Sequence, residues 1–269
     1  MTATYQLGLI GGGVMGEALL SRLLQQQVYT PDQVIVSELL PARRDYLKGE
    51  YQVAVTDANA AAIASDTVLL AIKPQVLKAV TEALPATTYA HKPLLLSILA
   101  GVPLARLAAG FPDCPVIRAM PNTPAIVGAG TTAIAPGQQV TAEQLEQAKT
   151  IFGAVGTVVE VAESLMDAVT GVSGSGPAFV ALMVESLSDG GVAAGLPRPI
   201  ANNLAQQTVL GTAQLLVDSG LHPGQLKDRV TSPGGTTIAG VATLEQHGFR
   251  AAVIEAVQAA ATRSQELGG

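Results

Sequence analysis

Along the first 160 residues the apolar positions fall into short runs separated by amphipathic stretches. YQLGLI (5–10), QVIVS (33–37), YQVAV (51–55) and TVLLAI (67–72) read as strands, and the segments ending at Gln27, covering 41–50 and starting at Asp57 read as helices between them. The rhythm continues through a helix after Pro74, the strands KPLLLSI, CPVIRAM and GTTAIA, a helix over 141–153 and the strand GTVVEV. Runs such as VLLAI and LLLSI are apolar on both faces, as strands of a parallel sheet are when helices cover each side. The pattern predicts an α/β domain built on a parallel sheet.

After about residue 165 the strands stop. Residues 177–194, 197–218, 223–231, 236–246 and 249–266 read as helices, with Pro177, Pro197 and Pro223 at first-turn positions. The first, PAFVALMVESLSDGGVAAG, is apolar nearly all round, which a solvent-facing helix does not tolerate, so it is expected to lie between subunits. The composition shift divides the chain into an α/β part, 1–163, and an all-α part, 164–269, with no flexible linker or repeat.

Composition narrows the picture. Hydrophobic residues make up 48% and charged ones 13% of 269 positions, more apolar surface than one monomer needs to bury, which points to a large subunit interface. The longest apolar stretch is broken by Pro103 and Arg106, short of the ~18 residues of a spanning helix. A net charge of −6, without a basic run longer than Arg43-Arg44, argues against nucleic acid or an anionic membrane as partner. Cys114 is the single cysteine, so an intrachain disulfide and a cysteine-based metal site are excluded; no metal is expected. The opening MTATYQ lacks the charged start of a secretory signal, and a cytoplasmic location is the expectation.

Candidate chemistry begins at LGLIGGGVMGEALL. Gly11, Gly13 and Gly16 have the G-x-G-x-x-G spacing directly after a strand and before a helix, the context of a dinucleotide fingerprint. Gly11 permits the tight turn, Gly13 lets backbone approach a pyrophosphate and Gly16 lets helix pack on strand; the helix start supplies N–H donors. At the end of the second strand, Ser37-Glu38 stands where an adenosine ribose is read, and an acid there favours NAD. Arg43 and Arg44 pull toward a 2′-phosphate, so the choice between NADH and NADPH stays open. Lys73-Pro74 closes another strand on the ligand-binding edge, where Lys73 is available for catalysis or simply for solvent. Asn122, in RAMPNTPA, is placed either to meet a nicotinamide amide or to cap its turn.

VTSPGGTTIAG (230–240) interrupts the helical half with residues a helix interior rejects. Taken with GVSGSGPAFV, HPGQLKD, GLIGGGVMG, AIKP and RAMPNTPA, it resembles the pyrroline-5-carboxylate reductases in order and spacing over essentially the whole chain. The resemblance implies a two-domain build of the 6-phosphogluconate dehydrogenase type, an α/β Rossmann-type N-terminal domain followed by an all-α C-terminal dimerisation domain whose copies interlock and assemble further in some members. It implies NADPH- or NADH-dependent reduction of L-1-pyrroline-5-carboxylate to L-proline. It puts the cofactor on Ile10, Gly11, Gly13, Val14, Met15, Gly16, Ser37, Glu38, Asn59, Ala71, Ile72, Lys73, Pro74, Ala100 and Asn122. The substrate falls to Ser175, Ser232, Gly234, Gly235, Thr236 and Thr237, with the Thr237 hydroxyl meeting the ring nitrogen. Two departures stand out: Glu38-Leu39 replaces a small polar or Asn-Arg pair, and the asparagine expected near the adenosine is either displaced to Asn59 or replaced by Ala58.

Ketone reduction needs an acid to protonate the developing alkoxide, yet residues 173–196 contain no Lys, Arg or His, and His91, His222 and His247 lie outside that stretch. An imine removes the need, because its nitrogen can be protonated before hydride arrives. The missing lysine argues against a β-hydroxyacid dehydrogenase, and the intact SPGGTT argues against a sensor that binds the nucleotide without chemistry.

Overall fold

A computed structural model describes residues 5–84 and 89–268. The first four residues of the MTATYQ stretch lie outside it. The chain forms two compact units, Met1–Ser175 with Ala259–Gly269, and Gly176–Gln258. Mixed α/β structure ends earlier, at Glu160, so the composition shift and the compact-unit division fall at different places.

The first unit holds one eight-stranded sheet in the order β3-β2-β1-β4-β5-β6-β7-β8. Its strands are β1 (Leu7–Ile10), β2 (Val34–Ser37), β3 (Ala54–Thr56), β4 (Thr67–Leu70), β5 (Leu94–Ser97), β6 (Val116–Met120), β7 (Gly130–Pro136) and β8 (Gly156–Glu160). Helices α1 (Val14–Gln25), α2 (Pro41–Tyr51), α3 (Asn59–Ile63), α4 (Leu77–Glu82), α5 (Leu104–Gly110) and α6 (Ala142–Gly153) connect them. Alternate residues of the central strands feed two cores. Leu7, Leu9, Leu69, Leu94 and Leu96 pack with Leu19, Leu23 and Phe152. Ile10, Val68, Leu70 and Leu95 pack with Leu77, Leu107 and Phe111. Each fully buried leucine contributes about 1.5–3 kcal/mol, so this doubly covered sheet is a stiff platform for whatever sits at its edge.

Strands β1 to β6 are parallel, as expected, but β7 runs antiparallel to β6 and β8 parallel to β7. The apolar pattern does not specify the direction of these last two strands. The segment between Met120 and Gly130 holds only a short turn, Thr123–Val127, and a parallel crossover needs roughly a dozen residues or more. The chain therefore turns back beside the strand it has just left.

In the helical part, α7 (Met166–Val169) leads through a π-helical turn at Thr170–Gly174 into α8 (Gly176–Ala193), followed by α9 (Arg198–Ser219), α10 (Pro223–Arg229), α11 (Thr236–Gln246) and α12 (Phe249–Gly268). Gly195, at φ +98°, makes the turn that lays α9 along α8, and Arg198 then donates to Ser188 and pairs with Asp189. Ser188 is the one buried residue of α8, and α11 buries none. Leu182, Leu210 and Ile254 are more than half exposed. The continuous helical run Glu163–Ala193 is, by length and composition, apolar enough to cross a membrane, which no uninterrupted apolar stretch of the sequence is.

Candidate active site

The glycine turn after β1 has three positions with different constraints. Gly11 sits at φ +104°, donates its N–H to Ser37 O at 2.9 Å, and a Cβ there would lie 2.6 Å from Ala71 O. A Cβ on Gly16 would strike the carbonyl oxygen of Gly11, so Gly16 is what lets α1 approach β1. Gly13 is exposed, has nothing within 4 Å of where a Cβ would stand, and opens α1 with no side chain capping the helix. The turn is therefore tight on its inner side and bare on its outer side. That is the form a pyrophosphate requires, since the first-turn N–H groups of α1 and the positive end of its dipole remain available. Val14 continues this exposed rim while Met15 is half-buried against the core, and the Ile10 side chain is buried and its carbonyl accepts from Ala71 N at 2.9 Å.

The end of β2 forms the adjoining corner. Ser37 is buried and donates to Asn59 Oδ1 at 2.7 Å, which brings Asn59 rather than Ala58 to the strand end. The Glu38 carboxylate accepts from Gly12 N at 3.0 Å and from Leu40 N at 2.9 Å. Arg43 donates to Gly12 O at 2.7 Å and pairs with Glu17. Glu17 also accepts from Tyr51 at 2.8 Å and Tyr46 at 3.0 Å. Burial pushes the Glu17 carboxyl up, but the hydrogen bonds from Arg43, Tyr51 and Tyr46 outweigh it and hold it below its ordinary value. Arg44 bonds the carbonyls of Glu38 and Leu39, both at 2.8 Å, and stands 3.6 Å from Asp57. Gly12 and Glu17 were not singled out from the sequence. A Cβ on Gly12 would stand 2.5 Å from Leu47 Cδ1, a constraint imposed by α2 and invisible until α2 is docked.

Farther along the same edge, Ala71 and half-buried Ile72 lead from β4 to Lys73, which is exposed and begins the turn Pro74–Val76. Ala100 is exposed beyond the end of β5, just before Gly101 at φ +75°. Asn122 stands at the start of the Thr123–Val127 turn without capping it by its side chain; Oδ1 instead accepts from Thr131 N at 2.8 Å, tying the loop to β7. Gly11, Gly16, Ser37, Glu38, Asn59 and Ala71 are thus joined by direct contacts, while Lys73, Ala100 and Asn122 occupy separate strand ends of the same edge.

Ser232, Gly234, Gly235, Thr236 and Thr237 form one continuous turn and helix start in the second unit. Gly235 N donates to Ser232 O at 3.0 Å, Gly234 adopts φ +66°, and Gly235 opens α11 in extended backbone with no side-chain cap. Thr236 is exposed and Thr237 half-buried. Ser175 belongs to the first unit, where its N–H donates to Thr170 O at 2.8 Å. The histidines have local tasks: His91 bonds Ser65 O at 2.9 Å, the His222 ring accepts from Gly224 N at 3.1 Å to cap α10, and His247 ends α11.

A sheet whose β1–α1 turn is a bare glycine cradle, with an acid at the end of β2, defines a dinucleotide-dependent oxidoreductase. The comparisons sharpen that class. Residues 6–101 match the family model for NADP oxidoreductase, coenzyme F420-dependent, and residues 163–267 match that for pyrroline-5-carboxylate reductase dimerisation. The chain is 63% identical over 266 residues to the pyrroline-5-carboxylate reductase of Synechocystis sp., covering 98% of this chain and 99% of that one. It is 45% identical over 265 residues to the enzyme of Methanosarcina acetivorans, covering 98% of each. Among solved structures, a pyrroline-5-carboxylate reductase from Coxiella burnetii superposes with a TM-score of 0.92 at 33% identity, covering 99% of both chains. The Plasmodium falciparum pyrroline carboxylate reductase, solved with NADP bound, gives 0.88 at 30% identity over the full length of both. The chain belongs to the pyrroline-5-carboxylate reductase family, as its motifs led one to expect, and has that family's Rossmann-type domain and helical dimerisation region.

Proposed function

We propose that this chain reduces L-1-pyrroline-5-carboxylate to L-proline, the last step of proline biosynthesis, using NADPH or NADH. The observation that carries the reading is the presence, in one chain, of the bare cradle at Gly11–Gly16 and the uncapped helix start at Gly235. Bound NAD(P)H supplies a hydride. Gly11 to Met15 hold its pyrophosphate, Ser37, Glu38 and Asn59 its adenosine ribose, and Ala71 to Pro74, Ala100 and Asn122 its nicotinamide end.

The substrate is a cyclic imine with a carboxylate. First-turn N–H groups of α11, around Gly234, Gly235, Thr236 and Thr237, receive the carboxylate, which suits both their orphan donors and the helix dipole. The Thr237 hydroxyl orients the ring nitrogen. That nitrogen enters protonated, so hydride adds to the neighbouring carbon, the C=N bond becomes a single bond and its electron pair settles on nitrogen. No side-chain acid has to act in that step, which agrees with the absence of Lys, Arg and His from 173–196. The protein's contribution is orientation and electrostatics.

In this reading residues 1–163 bind the cofactor and 164–269 dimerise and bind substrate. The apolar surface of α8 is then the core of a homodimer with interlocked helical domains rather than a membrane span, and further assembly of dimers is compatible with it. A cytoplasmic enzyme without nucleic-acid or membrane partners fits the charge balance. The test is absorbance at 340 nm with pyrroline-5-carboxylate and each cofactor in turn: one of them must be consumed with stoichiometric proline formation, and no loss with either refutes the assignment.

A further inference from the structure

We propose that this chain favours NADH over NADPH and that Glu38 is the residue that decides it. The proposal rests on the dinucleotide reading above and adds which adenosine ribose the corner accepts.

Glu38 directly follows Ser37, the last residue of β2, and its two carboxylate oxygens are held by different backbone donors. Oε2 accepts from Gly12 N at 3.0 Å and Oε1 from Leu40 N at 2.9 Å. The negative charge is therefore fixed beside the cradle before any nucleotide arrives. A carboxylate in that position accepts from the vicinal hydroxyls of a plain ribose, whereas a 2′-phosphate brings a charge of about −1.5 to −2 against it.

A phosphate would be welcome if the neighbouring arginines were free to turn to it, and the structure shows both engaged. Arg43 spends Nε on Gly12 O and Nη2 on Glu17, which Tyr46 and Tyr51 also hold. Arg44 spends Nη1 on the carbonyls of Glu38 and Leu39, with Nη2 toward Asp57. Counting charges, Glu17, Glu38 and Asp57 give −3 and Arg43 and Arg44 give +2, so the corner is at −1. Turning either arginine to a 2′-phosphate weakens its pairing with Glu17 or Asp57 and gives up bonds to the carbonyls of Gly12, Glu38 or Leu39. Two neutral hydroxyls require no such rearrangement.

The experiment is calorimetric titration of the full chain with ADP-ribose and with 2′-phospho-ADP-ribose, which probe the adenosine corner without any hydride chemistry, alongside kcat/KM for NADH and NADPH. Wild type is expected to bind ADP-ribose at least ~10-fold more tightly, about 1.4 kcal/mol, with the same sense in kcat/KM. Glu38→Gln is expected to weaken ADP-ribose and strengthen the 2′-phosphorylated probe, bringing them to within about threefold, ~0.7 kcal/mol. Equal or tighter binding of 2′-phospho-ADP-ribose by wild type overturns the proposal and leaves the dinucleotide site standing. Binding of neither probe overturns both readings. Equal weakening of both probes in Glu38→Gln makes Glu38 a structural residue and also overturns the proposal. The wild-type comparison stands even if that variant does not fold.

Discussion

The three fingerprint glycines differ in the space around them, and that difference predicts that alanine at each will fail in a different way. At Gly11 an alanine must adopt φ +104° and place its methyl 2.6 Å from Ala71 O, a backbone atom pinned by the Ala71 N to Ile10 O bond. Backbone strain of about 1–3 kcal/mol adds to overpacking of about 1–3 kcal/mol, so Gly11→Ala should lose about 2–6 kcal/mol of stability. At about 2–4 °C per kcal/mol that is a fall in Tm of about 4–24 °C. At Gly13 the backbone is at φ −71° and nothing lies within 4 Å of the added methyl. Stability should then change by less than about 1 kcal/mol, because reduced freedom of the unfolded chain offsets a poorer helix start. The methyl would nevertheless stand where the pyrophosphate approaches, so ADP-ribose affinity should fall at least tenfold, about 1.4 kcal/mol. Thermal melts at matched protein concentration, needed for an oligomer, and calorimetric titration with ADP-ribose separate the two effects. Wild-type nucleotide affinity in a folded Gly13→Ala would refute the cradle and leave these glycines as a tight turn only.

Thr237→Ala should depress kcat strongly while leaving the Kd for ADP-ribose unchanged; unchanged steady-state kinetics would remove Thr237 from the site. Leu182→Glu places a charge on the α8 face, where Leu182 is 63% exposed in the single chain and beside a cavity of about 540 Å³ lined by Phe179, Met183 and Phe249. It should shift sedimentation toward monomer, and an unaltered oligomer would place the interface elsewhere. The folded Glu17 carboxyl lies below its ordinary 4.5 despite burial, since Arg43, Tyr51 and Tyr46 favour the charged form. Its stabilising contribution is therefore complete above 4.5 and lost as pH falls through the lower folded value. The stability gap between wild type and Glu17→Gln, read by urea unfolding, should shrink on acidification below that point; a gap that widens would contradict the assignment.

Local patterning carried far in this chain. Strands buried on both faces announce themselves as unbroken apolar runs, and helices starting at proline or ending at glycine announce their bounds, so most elements fall where the pattern puts them, the short helices α5 and α7 being ones it did not name. The reversal of β7 was missed because apolar spacing does not encode strand direction, although the short connection after Met120 contains the reason. Arg118 shows a related gap. Embedded in the strand CPVIRAM, it proves to be 6% exposed, reaching Glu163 at 3.6 Å and Asp167 at 3.8 Å, while Asp167 accepts from Ser264 near the far end of the chain. Partners that distant in sequence appear only on folding.

For the site, sequence alone determined the kinds of residue: a glycine cradle after a strand, an acid at the end of β2 and an SPGGTT helix start, because each needs a particular backbone conformation or functional group at a fixed spacing. It left Glu38 and the two arginines as opposing signals, since side chains on different elements have no defined partner in a linear pattern. Tertiary structure gave each of them a partner by docking α2 against the cradle, so that Glu38 is held by Gly12 N–H while Arg43 turns to Glu17 and Arg44 to backbone carbonyls and Asp57. The physical reason is that a charge acts on whatever lies within a few ångströms of it, and in this corner those neighbours include positions 26 and 31 residues apart in the chain.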